Sequence, residues 1–541
     1  MAVGLDSPAR VDKTDDDYKN DPEKSAESLN REPGIVIGPR GRRMRRLDDS
    51  HLTGDDSSGS EFDVGKQIEL EAGNAIKYRT CSWPKTAALL FSEYICLAIM
   101  SFPYSYSVLG LVPGLILTVV VAGLVLYTSL VLWEFCLRHP EVRDVCDLGQ
   151  TLFWGKKWAW WFTAVMFILN NTFIQGFHCL VGAKYLNTMT NHSMCTIAFS
   201  AIVAVISFVC SLPRTFSTLA KVATASAFFT FISVMLATIF AAIEDHPKGY
   251  PKFGEPTVLA FPAVGTTFVA GTNAFMNISY TFIGQITLPS FIAEMKEPRD
   301  FPKALWAVTI AEIIVFSLVG SIVYAYTGTN YNTAPAFGSL GNEVFLKVSF
   351  SFMIPTLIFL GVLYASVTAR FVFFRFFSGT RHMGEHTVVG WASWAGILAV
   401  TWVFAFIIAE VIPFFSDLLS LMSSLFDSFF GFIFWGVAYL RMRQADYGEG
   451  FYKTRGFRGW FGAGFNVVLC AIGLFFLTGG TYVSSLFDKR GLLGDADVCF
   501  RLRCSRLSTG INSRLLGGRL LARAMACNLI LSFRGRMEGR G

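Results

Sequence analysis

The stretch "MNISYTFIGQITLPSFIAEM", Met276 to Met295, falls in a run apolar enough to cross a bilayer, yet it carries Asn277, Ser279, Gly284, Gln285, Pro289 and Glu294. Unpaired polar groups in hydrocarbon cost free energy, and Gly and Pro weaken a helix, so an uninterrupted span excludes this combination. A span broken near the bilayer midplane requires it, because the break frees backbone N–H and C=O groups to meet a ligand.

The first apolar run contains a comparable interruption, "AIMSFPYSYSVLG" (Ala98 to Gly110), with Pro103 flanked by Ser101 and Ser105. Pro103 alone reads as a structural kink. Two interruptions five spans apart, at corresponding places in two halves, read instead as the paired broken helices of a transporter built from inverted repeats.

Composition agrees. The chain has 541 residues, 52% of them apolar and 52 of them Phe, with a mean hydropathy of +0.46, which describes a polytopic membrane protein. Scanning for runs of about 20 apolar residues gives about eleven spans, near 86–109, 112–137, 158–182, 194–212, 218–243, 265–290, 304–327, 344–369, 388–411, 413–439 and 461–485. The connections at 138–157, 214–221, 296–303, 370–381 and 441–458 hold about seventeen Lys and Arg, against roughly three on the other side, which places the N-terminus in the cytoplasm. An odd number of spans then places the C-terminus outside.

Three parts follow: a polar tail (1–80), a transmembrane domain (81–485) and an Arg-rich tail (486–541). The first tail has too few large apolar groups to offset ordering entropy, so it is expected to be disordered and cytoplasmic, with no cleaved signal peptide. Its "RGRRMRR" (Arg40 to Arg46) suits anionic headgroups or a freely solvated charge run, and Ser57, Ser58 and Ser60 lie among acids that suit phosphorylation. The last tail has about nine Arg and no Lys after Gly491; it reads either as an extracellular tail or as the product of an altered reading frame or retained intron.

Several functions are excluded. There is no Gly-rich phosphate loop, no metal-ligand spacing of Cys or His and no hydrolase constellation, so no cofactor, metal or catalytic residue is assigned and an ATP-driven pump is not expected. The expected partners are a small solute, a coupling ion and the bilayer, not nucleic acid. Most of the eleven Cys read as packing residues; Cys195 and Cys499 fall outside, where a disulfide can form. Asn191 begins an Asn-His-Ser glycosylation acceptor in an outside loop, whereas the same pattern at Asn170 and Asn277 is buried in spans.

"FIGQITLPSFIAEMKEPRDFPKAL" (Phe282 to Leu305) resembles the sixth span and following loop of the amino acid/auxin permease family, the fungal neutral amino acid permeases above all. "SEYICLAIMSFPYSYSVLGLVPGLIL", "SLPRT" (Ser211 to Thr215) and "LYASVTARFVFFR" (Leu363 to Arg375) resemble its first span, a loop and its eighth span, so the likeness covers roughly Cys81 to Tyr482. The resemblance implies eleven helices, ten of them in a five-plus-five inverted repeat like that of the bacterial leucine transporter, and secondary active uptake of amino acids. Ala98 departs from the Gly usual there, which implies that unwinding of the first span begins later.

Site residues follow from position within that likeness. Backbone at Ile99, Met100, Ser101 and Phe102 and from Tyr280 to Gly284 is expected to hold the α-amino and α-carboxylate groups, with selectivity left to Tyr280, Ile283, Gln285, Asn171, Gln175 and Tyr364. Ser366 matches the place where sodium-coupled members set a hydroxyl near the cation. Ser366 and Thr368 lie about 200° apart around a helix and cannot both face one cation, so the coupling ion is expected to be a proton on Glu93. The expected function is import of neutral, aliphatic or aromatic amino acids by proton symport, sodium being the other candidate ion. The site of action is the plasma membrane, with the vacuolar membrane as the alternative. A sensor with the same fold that signals through its long tail is the second hypothesis.

Overall fold

The structure is a computed structural model that describes residues 81–484, except 140, 141, 143, 215, 251–255, 378, 379, 381, 383–386 and 413 and the side chains of 216–221, 223 and 224. Both tails, with the basic run, the three serines, Cys499 and the terminal arginines, lie outside the described residues.

Both interruptions are present, and proline explains where each second half begins. The first run is α1 (Trp83–Tyr94), two non-helical residues, a 3-10 turn (Leu97–Ser101) and α2 (Phe102–Leu109), with a bend of 43°. The sixth is α8 (Phe268–Phe282), a non-helical link at 283–287 and α9 (Leu288–Glu294). Pro103 and Pro289 each occupy the first turn of the second half, where a missing N–H costs nothing and a fixed φ favours helix. Unwinding of the first span starts before Ala98, at Ile95 and Cys96, and not after it.

The remaining helices are α3 (Leu111–Arg138), α4 (Val145–Leu152), α5 (Lys157–Met189), α6 (Thr196–Ser211), α7 (Phe216–Ile243), α10 (Phe301–Thr327), α11 (Glu343–Ser351), α12 (Ile354–Phe376), α13 (Val388–Val411), α14 (Phe415–Met422), α15 (Phe434–Tyr447), α16 (Phe451–Thr454) and α17 (Gly456–Phe475). A π-helical stretch, Ser423–Ile433, joins α14 to α15. Each expected run coincides with a helix or a helix pair, but the eighth begins about ten residues late. Pro355 opens α12 after a break from α11, and it cannot continue a helix from the N-terminal side. Among the described residues eight helices are long and apolar enough to cross a bilayer alone, or nine with the bent first pair. Helix α6 has 16 residues and the sixth span is split, so the expected count of eleven includes two runs that fall short of that length.

Packing divides the spans into two groups. Helices α1, α2, α3, α8, α9 and α10 pack on one another, and α5, α6, α12 and α13 form a second bundle. Helix α7 touches α1 and α10 as well as α12, and the α14–α15 line touches α8 and α3. Within the first group, Phe102 at the start of α2, Phe282 at the end of α8 and Phe316 of α10 meet with ring centroids 5.0–6.2 Å apart. The two interruptions are thereby fastened together by aromatic contact. Helix α17 turns Phe457, Phe461, Val467 and Val468 outward, as a lipid-facing surface does.

The α14–α15 line is held at both ends. Near the start of α8, Asn273 donates to the Asp417 carboxylate (3.3 Å) and Asn277 donates to the Ser416 hydroxyl (2.6 Å). At the other end Arg138 of α3, fully buried, donates to both Asp446 oxygens (2.8 and 2.9 Å) and to Glu134 (2.5 Å), while Arg443 donates to Glu134 and Asp446. Removing one partner of a buried ion pair strands the other charge. Asp446→Ala is therefore expected to lower stability by about 3 kcal/mol, read as a fall in the melting temperature of the detergent-solubilised protein; an unchanged melting temperature would show that the pair is not holding α3 to α15.

Candidate functional site

The two links bound a cavity between the helix groups. It is lined by Glu93, Tyr94 and Cys96 of the first span, Asn170 and Ile174 of α5, and Tyr280, Thr281, Ile283, Gly284 and Ile286 of the sixth span. Tyr364 of α12 and Asp427 and Phe430 of the π-helical stretch complete it. Its volume is small, about 50 Å³, enough for a few waters, so an amino acid enters only if side chains withdraw. The tyrosines at 94, 280 and 364 are the large groups that can do so.

Glu93 is the point on which these elements converge. Its Oε1 accepts from the Tyr364 hydroxyl at 2.8 Å. The Thr287 hydroxyl lies 3.3 Å from Oε2 and 2.9 Å from the Gly284 carbonyl and is shared between them. One buried carboxylate thus joins the end of α1, the start of α9 and the second helix group through α12. Gly284 allows the close approach, because a Cβ there would stand 2.0 Å from Tyr94 Cε1. On the other side Ile283 packs against Gly431, where a Cβ would meet it at 2.9 Å.

Of the residues expected from sequence, the cavity brings together Glu93, Tyr280, Ile283, Gly284 and Tyr364. The others lie elsewhere. Ile99, Met100 and Ser101 in the 3-10 turn and Phe102 at the start of α2 are wholly buried, with Ser101 donating to the Ala98 carbonyl, and they do not line the cavity; the residues of the first span that do are Glu93, Tyr94 and Cys96. Asn171 donates to the Thr368 hydroxyl (3.0 Å), an interhelical bond, and its neighbour Asn170 takes the cavity wall. Gln285 turns toward α3 and donates to Thr128 (3.0 Å). Gln175 is buried, and neither its amide nitrogen nor its amide oxygen has a hydrogen-bond partner among the described residues. Ser366 is buried and its hydroxyl has no partner among the described residues, so it does not bond back to its own helix. Asn191 is exposed, with φ +50°, and accepts from Lys347.

Thr281, within the expected stretch from Tyr280 to Gly284, also lines the cavity; the lining residues outside those expected are Tyr94, Cys96, Asn170, Ile174, Ile286, Asp427 and Phe430. Tyr94 had a signal of a kind: it follows Glu93 at the last turn of a helix bound to break. Among the described residues no group of three or more His, Cys, Asp or Glu could hold a metal ion.

With this geometry the comparisons take on meaning. The family described as "Transmembrane amino acid transporter protein" matches residues 79–486. The chain belongs to that family. The transporter is 29% identical over 433 residues to the "N amino acid transport system protein" of Neurospora crassa, covering 79% of this chain and 89% of that one. It is 30% identical over 441 residues to a "Transmembrane transporter" of Gibberella moniliformis, covering 80% and 90%. Among solved structures, MhsT in complex with L-phenylalanine aligns with 76% of this chain and 100% of its own, at 12% identity and a TM-score of 0.46.

Position 284 has no room for a side chain beside Tyr94. Gly284→Ala forces Tyr94 to move, an overpacking worth about 1–3 kcal/mol, and displaces a ring from the cavity wall. Amino acid uptake is expected to fall at least tenfold while surface biotinylation still finds the protein at the membrane, and Tyr94→Val in the same chain should recover part of the uptake. Normal uptake by Gly284→Ala would remove position 284 from the site.

Proposed function

We propose that the transporter imports neutral amino acids, aliphatic and aromatic ones among them, across the plasma membrane by proton symport, with its N-terminus in the cytoplasm. The observation that carries the reading is Glu93 bridging the two interruptions and Tyr364. The backbone links at 95–96 and 283–287 are proposed to hold the α-ammonium and α-carboxylate, since broken helices present carbonyl ends to cations and N–H ends to anions. Tyr280, Ile283 and Tyr364 would then face the substrate side chain.

Protonation has a mechanical meaning at Glu93. The ionised carboxylate accepts from Tyr364 and Thr287 together; the neutral acid has a proton of its own to donate, so one of those hydroxyls must turn or withdraw. We take the bond that yields to be that of Tyr364, which crosses between the helix groups, Thr287 being in Glu93's own group. A proton arriving with substrate would thus loosen the groups as the cavity fills, which is the linkage that symport needs.

Uptake should rise as external pH falls, collapse with a protonophore and be indifferent to replacing sodium with choline. Glu93→Gln, a permanently neutral mimic of the protonated acid, should lose concentrative uptake by at least tenfold while still exchanging labelled for unlabelled amino acid in proteoliposomes. Loss of uptake on removing sodium at constant pH would refute proton coupling and turn attention to the unpartnered hydroxyl of Ser366.

A further inference from the structure

Asp427 is the second carboxylate in the cavity and has no part in the scheme above. It is 95% buried, and its Oδ2 has no hydrogen-bond partner among the described residues. The Ser423 hydroxyl, one turn earlier, is itself buried without a hydrogen-bond partner among the described residues. Glu93 differs sharply, with a hydroxyl at each oxygen. Among the described residues no Lys, Arg or His lines the cavity.

The backbone explains how Asp427 reaches this place. It sits in the π-helical stretch Ser423–Ile433, whose widened turns re-aim side chains and free carbonyls; one such carbonyl, of Phe430, is taken by the Trp435 indole N–H at 2.5 Å. π-helical turns within helices are often found at functional sites, and this eleven-residue stretch presents Asp427 together with Phe430 to the cavity. The stretch is separate from both interruptions and faces the sixth span through Ile283 on Gly431.

We propose that Asp427 selects the substrate side chain, favouring amino acids whose side chain ends in an N–H donor over apolar ones of similar length. The inference rests on the reading of this cavity as the substrate site and deepens it. The two interruptions supply backbone groups for the charges that every amino acid shares, and Asp427, on a third element, remains for what differs between substrates. Its unanswered oxygen makes the preference strong. A side chain with an N–H donor satisfies the acid, whereas an apolar one leaves it buried and unpaired, so aliphatic and aromatic substrates are carried with a lower kcat/KM than one that donates. The wall around Asp427, with Ile174, Ile283, Ile286 and Phe430, suits the methylenes of an uncharged amide-bearing side chain such as that of glutamine.

The test uses the full chain in proteoliposomes and compares glutamine with methionine, which has a similar length and no donor. The wild type should show a higher kcat/KM for glutamine. In Asp427→Leu the glutamine-to-methionine ratio should fall about tenfold or more, mainly through the KM for glutamine, and Asp427→Asn, which keeps an accepting oxygen, should lie between them. A ratio unchanged in Asp427→Leu, or an equal loss for both substrates, would overturn the proposal; the equal loss would assign Asp427 to the common α-amino group. Absence of exchange of any amino acid by the wild type would instead overturn the underlying reading of the cavity, and the selectivity role with it.

Discussion

Hydrogen-bond donors offset the cost of a carboxylate inside a bilayer, and Glu93 meets two, from Tyr364 and Thr287. That pairing organises the centre of the molecule. It holds the last turn of α1 beside the first residues of α9, so the breaks in the first and sixth spans face each other. It also reaches across to α12, which belongs to the other helix group. The Phe102, Phe282 and Phe316 rings fix the two broken spans to each other by apolar contact, which proton transfer does not alter. The link to Tyr364 is the polar one, and its strength depends on charge. The part of the centre that stays together and the part that can separate are therefore made of different interactions.

Much of this arrangement was legible in the sequence because it rests on residues with few other uses in a span. Pro103 and Pro289 mark the starts of α2 and α9 because the ring is compatible only with the first turn of a helix. Gly284 marks a close approach, although the sequence does not say that its neighbour is Tyr94. Glu93 stood out as an acid in an apolar run. The all-helical class and the paired interruptions follow from these and from hydropathy, and the family match over 79–486 agrees with the likeness seen in the residues.

What was not legible depends on helical phase and on where a helix stops. Asn170 and Asn171 differ by about 100° around α5, and only the position of α12 decides that Asn171 is spent on Thr368 while Asn170 faces the cavity. No proline or glycine marks the end of α1, so the sequence suggests a link at 99–102 whereas the non-helical residues are Ile95 and Cys96. Asp427 is one of several acids in or near spans, and its orientation comes from a π-helical stretch that hydropathy does not register. Gln285, polar within the broken span, was drawn away by Thr128.

The line from α14 to α15 is joined to α8 at one end by amide and hydroxyl donors and to α3 at the other by a buried ionic network. Ionic strength acts weakly on both: the donors at the first end are uncharged, and the charges at the second are screened little because Arg138 is sealed from solvent. The salinity of the surroundings therefore gives little leverage over either fastening. A cell facing a briny or a dilute medium would alter the driving gradient or the solute supply, while the mechanical set-point of this helix line stays where its own atoms put it.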